Sequence, residues 1–163
     1  MLTSKRDYEK FFTPLFIARH MVTLLNPQSG DIVLEPSAGN GAIVKAIKDV
    51  NLNISVFAVE LNGKYEQDLF NAGANFVKIC DFLIMDNMFK FTSCCANPPF
   101  GNTTDLQAHF DAIRKLVVPN GKIVMILPED FICNIEHKVH KIDNWSSNND
   151  GSITPIKIVE FQN

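Results

Sequence analysis

The chain has 163 residues, 46% of them hydrophobic and 20% charged, with 15 Lys and Arg against 18 Asp and Glu for a formal charge of −3 at pH 7. Such a length supports one domain with its own core, which excludes a fold dependent on disulfide or metal staples. The acidic balance excludes a protein that coats nucleic acid nonspecifically, since that requires a basic footprint. Only Lys5, Arg6, Lys10 and Arg19 concentrate positive charge, near the N-terminus. No apolar run approaches the roughly eighteen residues of a membrane span, and Asp7 and Glu9 interrupt any signal-peptide layout, so a soluble, cytoplasmic protein is expected. Cys80, Cys94, Cys95 and Cys133 lack a C-x-x-C spacing and read as reduced small apolar residues; His137 and His140 read as solvated surface.

Apolar residues recur at three- and four-residue steps from Phe11 to Leu25, and Thr13-Pro14 reads as a helix cap followed by a first-turn proline. A strand is expected over Asp31 to Glu35, a glycine loop over Glu35-Pro36-Ser37-Ala38-Gly39-Asn40-Gly41, and a helix from Ala42 to Val50. Strands follow at Ile54 to Val59 and Asn75 to Cys80, with a polar helix between them from Lys64 to Asn71. A fourth strand, Thr92 to Ala96, runs into Asn97-Pro98-Pro99-Phe100. Next come a helix from Asp105 to Val118, a turn at Pro119-Asn120-Gly121 and a fifth strand from Lys122 to Leu127. Strands around Val139 to Trp145 and Ile153 to Phe161 would form a closing hairpin. This alternation predicts an α/β fold, a Rossmann-like three-layer sandwich whose mostly parallel sheet ends in a C-terminal antiparallel hairpin. The expected organisation is one domain over 1–163: a helical cap at 1–29, a core at 30–130, and a polar segment with the hairpin at 131–163.

In open parallel sheets, ligands sit beyond the carboxyl ends of the strands. Gly39 and Gly41 let the backbone approach a ligand there while the next helix offers its positive N-terminus. The spacing is neither a dinucleotide fingerprint, since Val44 holds the third glycine position, nor a P-loop. Glu60 ends the second strand about twenty residues on, where an acid can accept both hydroxyls of a ribose. Asp81-Phe82 ends the third, suited to an adenine: the carboxylate accepts from the exocyclic amine and the ring packs on the base. Together the three strand ends point to an adenosine-containing cofactor.

Asn97-Pro98-Pro99-Phe100 is the most specific feature. Two prolines directly after a strand stiffen the backbone and remove two N–H donors, leaving local carbonyls and the Asn97 amide oxygen as acceptors. Acceptors so arranged suit a neutral planar amine, holding its two hydrogens and favouring the positive charge that develops on nitrogen. Phe100 can stack on the ring that bears it.

With Phe11-Phe12-Thr13-Pro14, the glycine motif from Glu35, Glu60, Asp81-Phe82 and Asn97-Pro98-Pro99-Phe100 in that order, the chain resembles the class I S-adenosylmethionine-dependent amino methyltransferases. It is most similar to the gamma-type N(6)-adenine DNA methyltransferases, over about residues 8 to 130. The resemblance implies S-adenosyl-L-methionine as cofactor. Phe12, Thr13, Glu35, Ser37, Gly39 and Gly41 would lie around its methionine part, with Glu60 at the ribose and Asp81 and Phe82 at the adenine. Asn97 and Pro98 would hold the target amine, with Pro99 and Phe100 completing the catalytic motif on a base extruded from the duplex. It implies no general base, because a sulfonium is a strong methyl donor and the proton can leave after transfer. Gamma-type members usually carry a C-terminal target-recognition domain, whereas about thirty residues follow Phe131 here. Selectivity for DNA is therefore expected from a separate specificity subunit, the Gly101 to Asp105 loop or the tail from Asn134 to Ser152. Alternative acceptors are an RNA base or a protein glutamine; the alternative class is a non-catalytic binding module.

Overall fold

The computed structural model describes residues 12–50, 53–86, 89–99, 106–142 and 155–163. The apolar runs become strands β1 (Ile32–Glu35), β2 (Ser55–Glu60), β3 (Phe76–Ile79), β4 (Phe91–Ala96), β5 (Val117–Pro128), β6 (Lys138–Lys141) and β7 (Ile156–Gln162). They form a seven-stranded sheet in the order β3-β2-β1-β4-β5-β7-β6. The first five are parallel, and β7 runs antiparallel to both β5 and β6. The C-terminal hairpin is thus part of the sheet, with its second strand against β5.

Helices α1 (Leu15–Leu25), α2 (Ala42–Val50) and α3 (Glu66–Asn71) cover one face, and α4 (Leu106–Leu116) covers the other. Strand alternation sorts the two cores. Val33, Cys95, Val124, Ile126 and Ile158 pack with Ile17, Met21, Val44 and Ile47 of α1 and α2. Leu34, Cys94, Ile123, Met125 and Val159 pack with Phe110 and Ile113 of α4. Central strands covered on both faces have no need of polar positions, which is why Cys94–Cys95–Ala96 of β4 and Ile123 to Leu127 of β5 are continuous apolar runs. Cys94 and Cys95 serve as small core residues, and burial pushes both thiols up, well above their usual range.

Several boundaries differ from expectation for identifiable reasons. Pro14, and not Thr13, sits at the N-cap of α1, and its carbonyl accepts from Ile17 and Ala18 at 3.0 Å each. The segment at 64–71 begins as a 3₁₀ turn, Gly63–Tyr65, capped by the Asn62 side chain on the Lys64 N–H, before α3 starts. Pro119-Asn120-Gly121 is no separate turn but a bulge inside β5, where the register against β4 jumps from Phe91↔Val117 to Ser93↔Lys122. His137 and His140 are half-buried: His137 Nδ1 meets the Ile135 carbonyl at 2.7 Å, and His140 Nε2 meets Glu160 at 3.0 Å on β7. Residues 143–154, and with them the whole of the expected turn between the hairpin strands, lie outside the described residues, as do the Gly101 to Asp105 loop and residues 1–11.

The bulge carries a sharp steric constraint. A Cβ on Gly121 would lie 2.5 Å from the Thr92 carbonyl oxygen and 2.5 Å from Val117 Cγ1. Gly121→Ala is therefore expected to destabilise the protein by about 2–3 kcal/mol, as overpacking does, and a urea midpoint unchanged from the parent would contradict the account.

Candidate functional site

The strand order reverses between β1 and β4, which makes the crevice beyond their carboxyl ends the place where this topology opens a ligand site. Val33 pairs with Ser93 and Leu34 with Cys94, so Glu35 and Asn97 leave the sheet at neighbouring strand ends. An open cleft of about 230 Å³, counting the solvent at its mouth, lies there. Phe12, Thr13, Glu35, Ser37, Gly39 and Asn97 line it, together with Ala38, Asn40, Ala42 and Ile43, which the motif reading had not singled out. Small side chains on a strand-to-helix turn are the available signal for the two alanines; nothing in the sequence marks Asn40.

Positive φ at Gly39 (53°) and Gly41 (84°) gives the loop its shape. Phe12 packs over it so closely that a Cβ at Gly39 would lie 3.2 Å from the Phe12 ring. The same ring meets Tyr65 in a T-shaped pair, with centroids 5.6 Å apart. Tyr65 is thus a neighbour of the site that sequence spacing did not reveal, because a 3₁₀ turn brings it there.

Each acidic strand end turns an oxygen back onto the backbone two residues ahead. Glu35 Oε1 accepts from the Ser37 N–H at 3.1 Å, Glu60 Oε1 from Asn62 at 2.8 Å, and Asp81 Oδ1 from Leu83 at 2.9 Å. Glu60 Oε2 also accepts from the Gly39 N–H at 2.8 Å, tying the glycine loop to β2. Asp81 is exposed and caps the 3₁₀ turn Phe82–Ile84. Phe82 is only 6% exposed, its ring against His109 with centroids 5.9 Å apart, so it backs the wall from within the core.

Glu35 is 1% exposed, and its Oε2 is buried without a hydrogen-bond partner among the described residues. Burial, reinforced by the nearby Glu60 charge and opposed by the Ser37 N–H, pushes its carboxyl up to about 8. Such a group holds its proton in the free protein and becomes a strong partner for a cation brought against Oε2.

Asn97 is half-buried, and its Nδ2 donates to Thr13 Oγ1 at 3.1 Å, joining the segment before α1 to the end of β4 across 84 residues of sequence. Pro98 is buried and Pro99 exposed; Phe100 lies outside the described residues. The structure therefore brings six of the expected residues to one cleft, with Glu60 holding its loop. Gly41, Asp81, Phe82, Pro98 and Pro99 are not part of its lining. Among the described residues no group of three or more His, Cys, Asp or Glu could hold a metal ion, and no helix is long and apolar enough to cross a membrane.

No protein-family model and no curated protein matches this chain. Solved structures do. The modification subunit of a putative type I restriction enzyme from Vibrio vulnificus YJ016 superposes with a TM-score of 0.75 at 15% identity. The EcoKI M protein, from another type I restriction enzyme, superposes with 0.74 at 17%. These matches cover 98% and 97% of this chain but only 46% and 44% of theirs, so the chain spans less than half the length of either subunit. An RNA methyltransferase from Salinibacter ruber, in complex with S-adenosyl-L-homocysteine, superposes with 0.65 at 13% identity over 93% of both chains. At such identities the likeness is one of architecture: the chain has the class I methyltransferase fold.

Proposed function

We propose that this chain is the catalytic core of an S-adenosylmethionine-dependent methyltransferase acting on the exocyclic 6-amino group of adenine in DNA, with residues 30–130 as its working part. The observation that carries this reading is the cleft between β1 and β4, where a buried carboxyl with an unpaired oxygen and the Asn97 side chain line the same space. The residues fit the cofactor. Oε2 of Glu35 would take the ammonium of its methionine part, small residues 38, 39 and 42 leave room for close approach, and the Glu60 carboxylate has lone pairs to spare for the ribose hydroxyls. Asp81 would accept from the adenine amine. When bound, S-adenosylmethionine supplies a methyl group already activated on a sulfonium.

The chain's own work lies on the acceptor side. Asn97 Oδ1 and the Pro98 carbonyl would hold the two hydrogens of the target amine, keep its lone pair available and stabilise the positive charge that develops. The surplus proton then passes to solvent. Phe100 would stack on the extruded base. DNA is favoured as acceptor by the order of motifs and by the two type I modification subunits among the similar structures. Those neighbours also support a separate specificity subunit as the partner that selects the site.

Methyl-labelled cofactor offered side by side with unmethylated DNA, RNA and protein tests the reading. Label in DNA is expected, and label confined to RNA or protein would overturn the choice of acceptor. Asp81→Ala is expected to weaken cofactor binding about tenfold by calorimetry, through loss of one charge-assisted hydrogen bond. Unchanged affinity would remove Asp81 from the adenine site.

A further inference from the structure

We infer that Tyr65 is a positioning residue for the cofactor: it holds the Phe12 ring against the glycine loop, so that affinity for S-adenosylmethionine depends on a side chain that does not itself line the cleft. The inference rests on the reading of this cleft as the place of the cofactor's methionine part.

Phe12 lines the cleft, yet it belongs to no regular element, standing two residues before Pro14 at the cap of α1. It is 39% exposed. Its contact with the glycine loop is close, since a Cβ at Gly39 would lie 3.2 Å from Cδ1 and 3.3 Å from Cε1 of the ring. A glycine offers a flat contact with no side chain to stop the ring from sliding or turning. Tyr65 supplies the missing direction. The two rings stand 85° apart with centroids 5.6 Å from one another, the edge-to-face arrangement that aromatic pairs prefer and that fixes orientation as well as distance.

Tyr65 can do this because its own place is set by the end of β2. Glu60 Oε1 accepts from the Asn62 N–H at 2.8 Å, the Asn62 side chain accepts from the Lys64 N–H at 3.1 Å, and the Asn62 carbonyl accepts from the Tyr65 N–H at 3.1 Å. The Lys64 ammonium, 4.7 Å from the centroid of the Tyr65 ring, adds a cation–π contact. Glu60 Oε2 meanwhile accepts from the Gly39 N–H at 2.8 Å. Gly39 and Tyr65, the two partners of the Phe12 ring, are thus tied to one carboxylate. The acid read as the ribose holder also frames the wall at the methionine part, and Phe12 is arranged before the cofactor arrives. Ordering that wall in advance lowers the entropy lost on binding.

Tyr65→Phe keeps the ring, and Tyr65→Leu removes it while keeping an apolar side chain. Calorimetry with S-adenosylhomocysteine is expected to show Kd raised about threefold to tenfold in the leucine variant, the scale of one edge-to-face pair, and within about twofold of the parent in the phenylalanine variant. A double-mutant cycle separates positioning from a general loss of packing. On a Phe12→Leu background, Tyr65→Leu is expected to change Kd by less than about twofold, because the ring it acts through is gone. In the free protein, the Phe12 ring-proton resonances are expected to move in Tyr65→Leu and to stay near the parent positions in Tyr65→Phe. An unchanged Kd in Tyr65→Leu, a phenylalanine variant as weak as leucine, or the same loss with and without the Phe12 ring would each overturn the inference. If the parent binds no S-adenosylhomocysteine, the cofactor reading fails. Phe12 resonances unmoved in Tyr65→Leu would instead overturn the positioning by itself.

Discussion

Asn97→Ala is expected to lower methyl transfer by about a hundredfold to a thousandfold while leaving S-adenosylhomocysteine binding within about twofold of the parent. The size follows from what is lost: an acceptor fixed in advance at the point where charge develops on the substrate nitrogen. Removing one such preorganised group typically costs that much in rate. Binding is largely spared because the acids assigned to the cofactor, Glu35, Glu60 and Asp81, are held by hydrogen bonds to the backbone at Ser37, Gly39, Asn62 and Leu83 that do not pass through Asn97. The substitution also deprives Thr13 of its partner, a loss of about 1 kcal/mol in stability that does not unfold a domain with two well-filled cores. Rates from single turnovers at saturating cofactor, set beside calorimetric affinities, check both halves. Equal losses of rate and affinity would move Asn97 from the acceptor side to the cofactor side.

Glu35→Gln is expected to make the free protein more stable at alkaline pH and to weaken cofactor binding by about tenfold or more at neutral pH. The native carboxyl is pushed up to about 8 from its ordinary 4.5. Between those values the folded chain keeps a proton that the unfolded chain has released, so stability falls as pH rises across the window and is fully retained only below it. By pH 9 the burden is on the order of 3–5 kcal/mol, and the glutamine variant escapes it. Its thermal midpoint is therefore expected to vary less from pH 5 to 9 and to exceed the parent's at the alkaline end. Binding has the opposite dependence, since an ammonium against Oε2 favours the ionised carboxyl. Cofactor affinity of the parent is expected to strengthen from pH 6 to 8, and that of Glu35→Gln to stay flat. Parallel profiles in the two proteins would exclude Glu35 as the titrating group.

How much of this could be read from residues alone differs between its parts. The parallel sheet and its antiparallel end were legible because β-branched and apolar runs of strand length alternate with helix-period segments, and those patterns follow directly from burial. The cluster of Phe12, Thr13, Glu35, Ser37, Gly39 and Asn97 in one cleft follows from the strand order, since β1 and β4 are neighbours in the sheet though far apart in sequence. What pattern could not give is the direction of particular side chains. Thr13 is a residue type that caps helices, yet Pro14 holds the cap position and the Thr13 hydroxyl meets the Asn97 amide instead. Phe82 has the composition of a stacking ring, yet the packing of α4 and His109 takes it into the core. The Pro119-Asn120-Gly121 segment has turn residues, and pairing on both sides of β5 makes it a bulge instead. The buried carboxyl of Glu35 was marked by its place beside the glycines, but its raised affinity for a proton depends on tertiary burial, which no local spacing encodes.

The central claim is that the Asn97 end of the cleft delivers a methyl group to the 6-amino nitrogen of adenine in DNA. DNA from host cells that have no adenine methylation of their own, expressing either this chain or its Asn97→Ala variant, can be digested to nucleosides and separated by mass. The account predicts 6-methyl-2′-deoxyadenosine with the parent chain and a background level with the variant. The same amount from both, or methyl groups found on a different base, would contradict it.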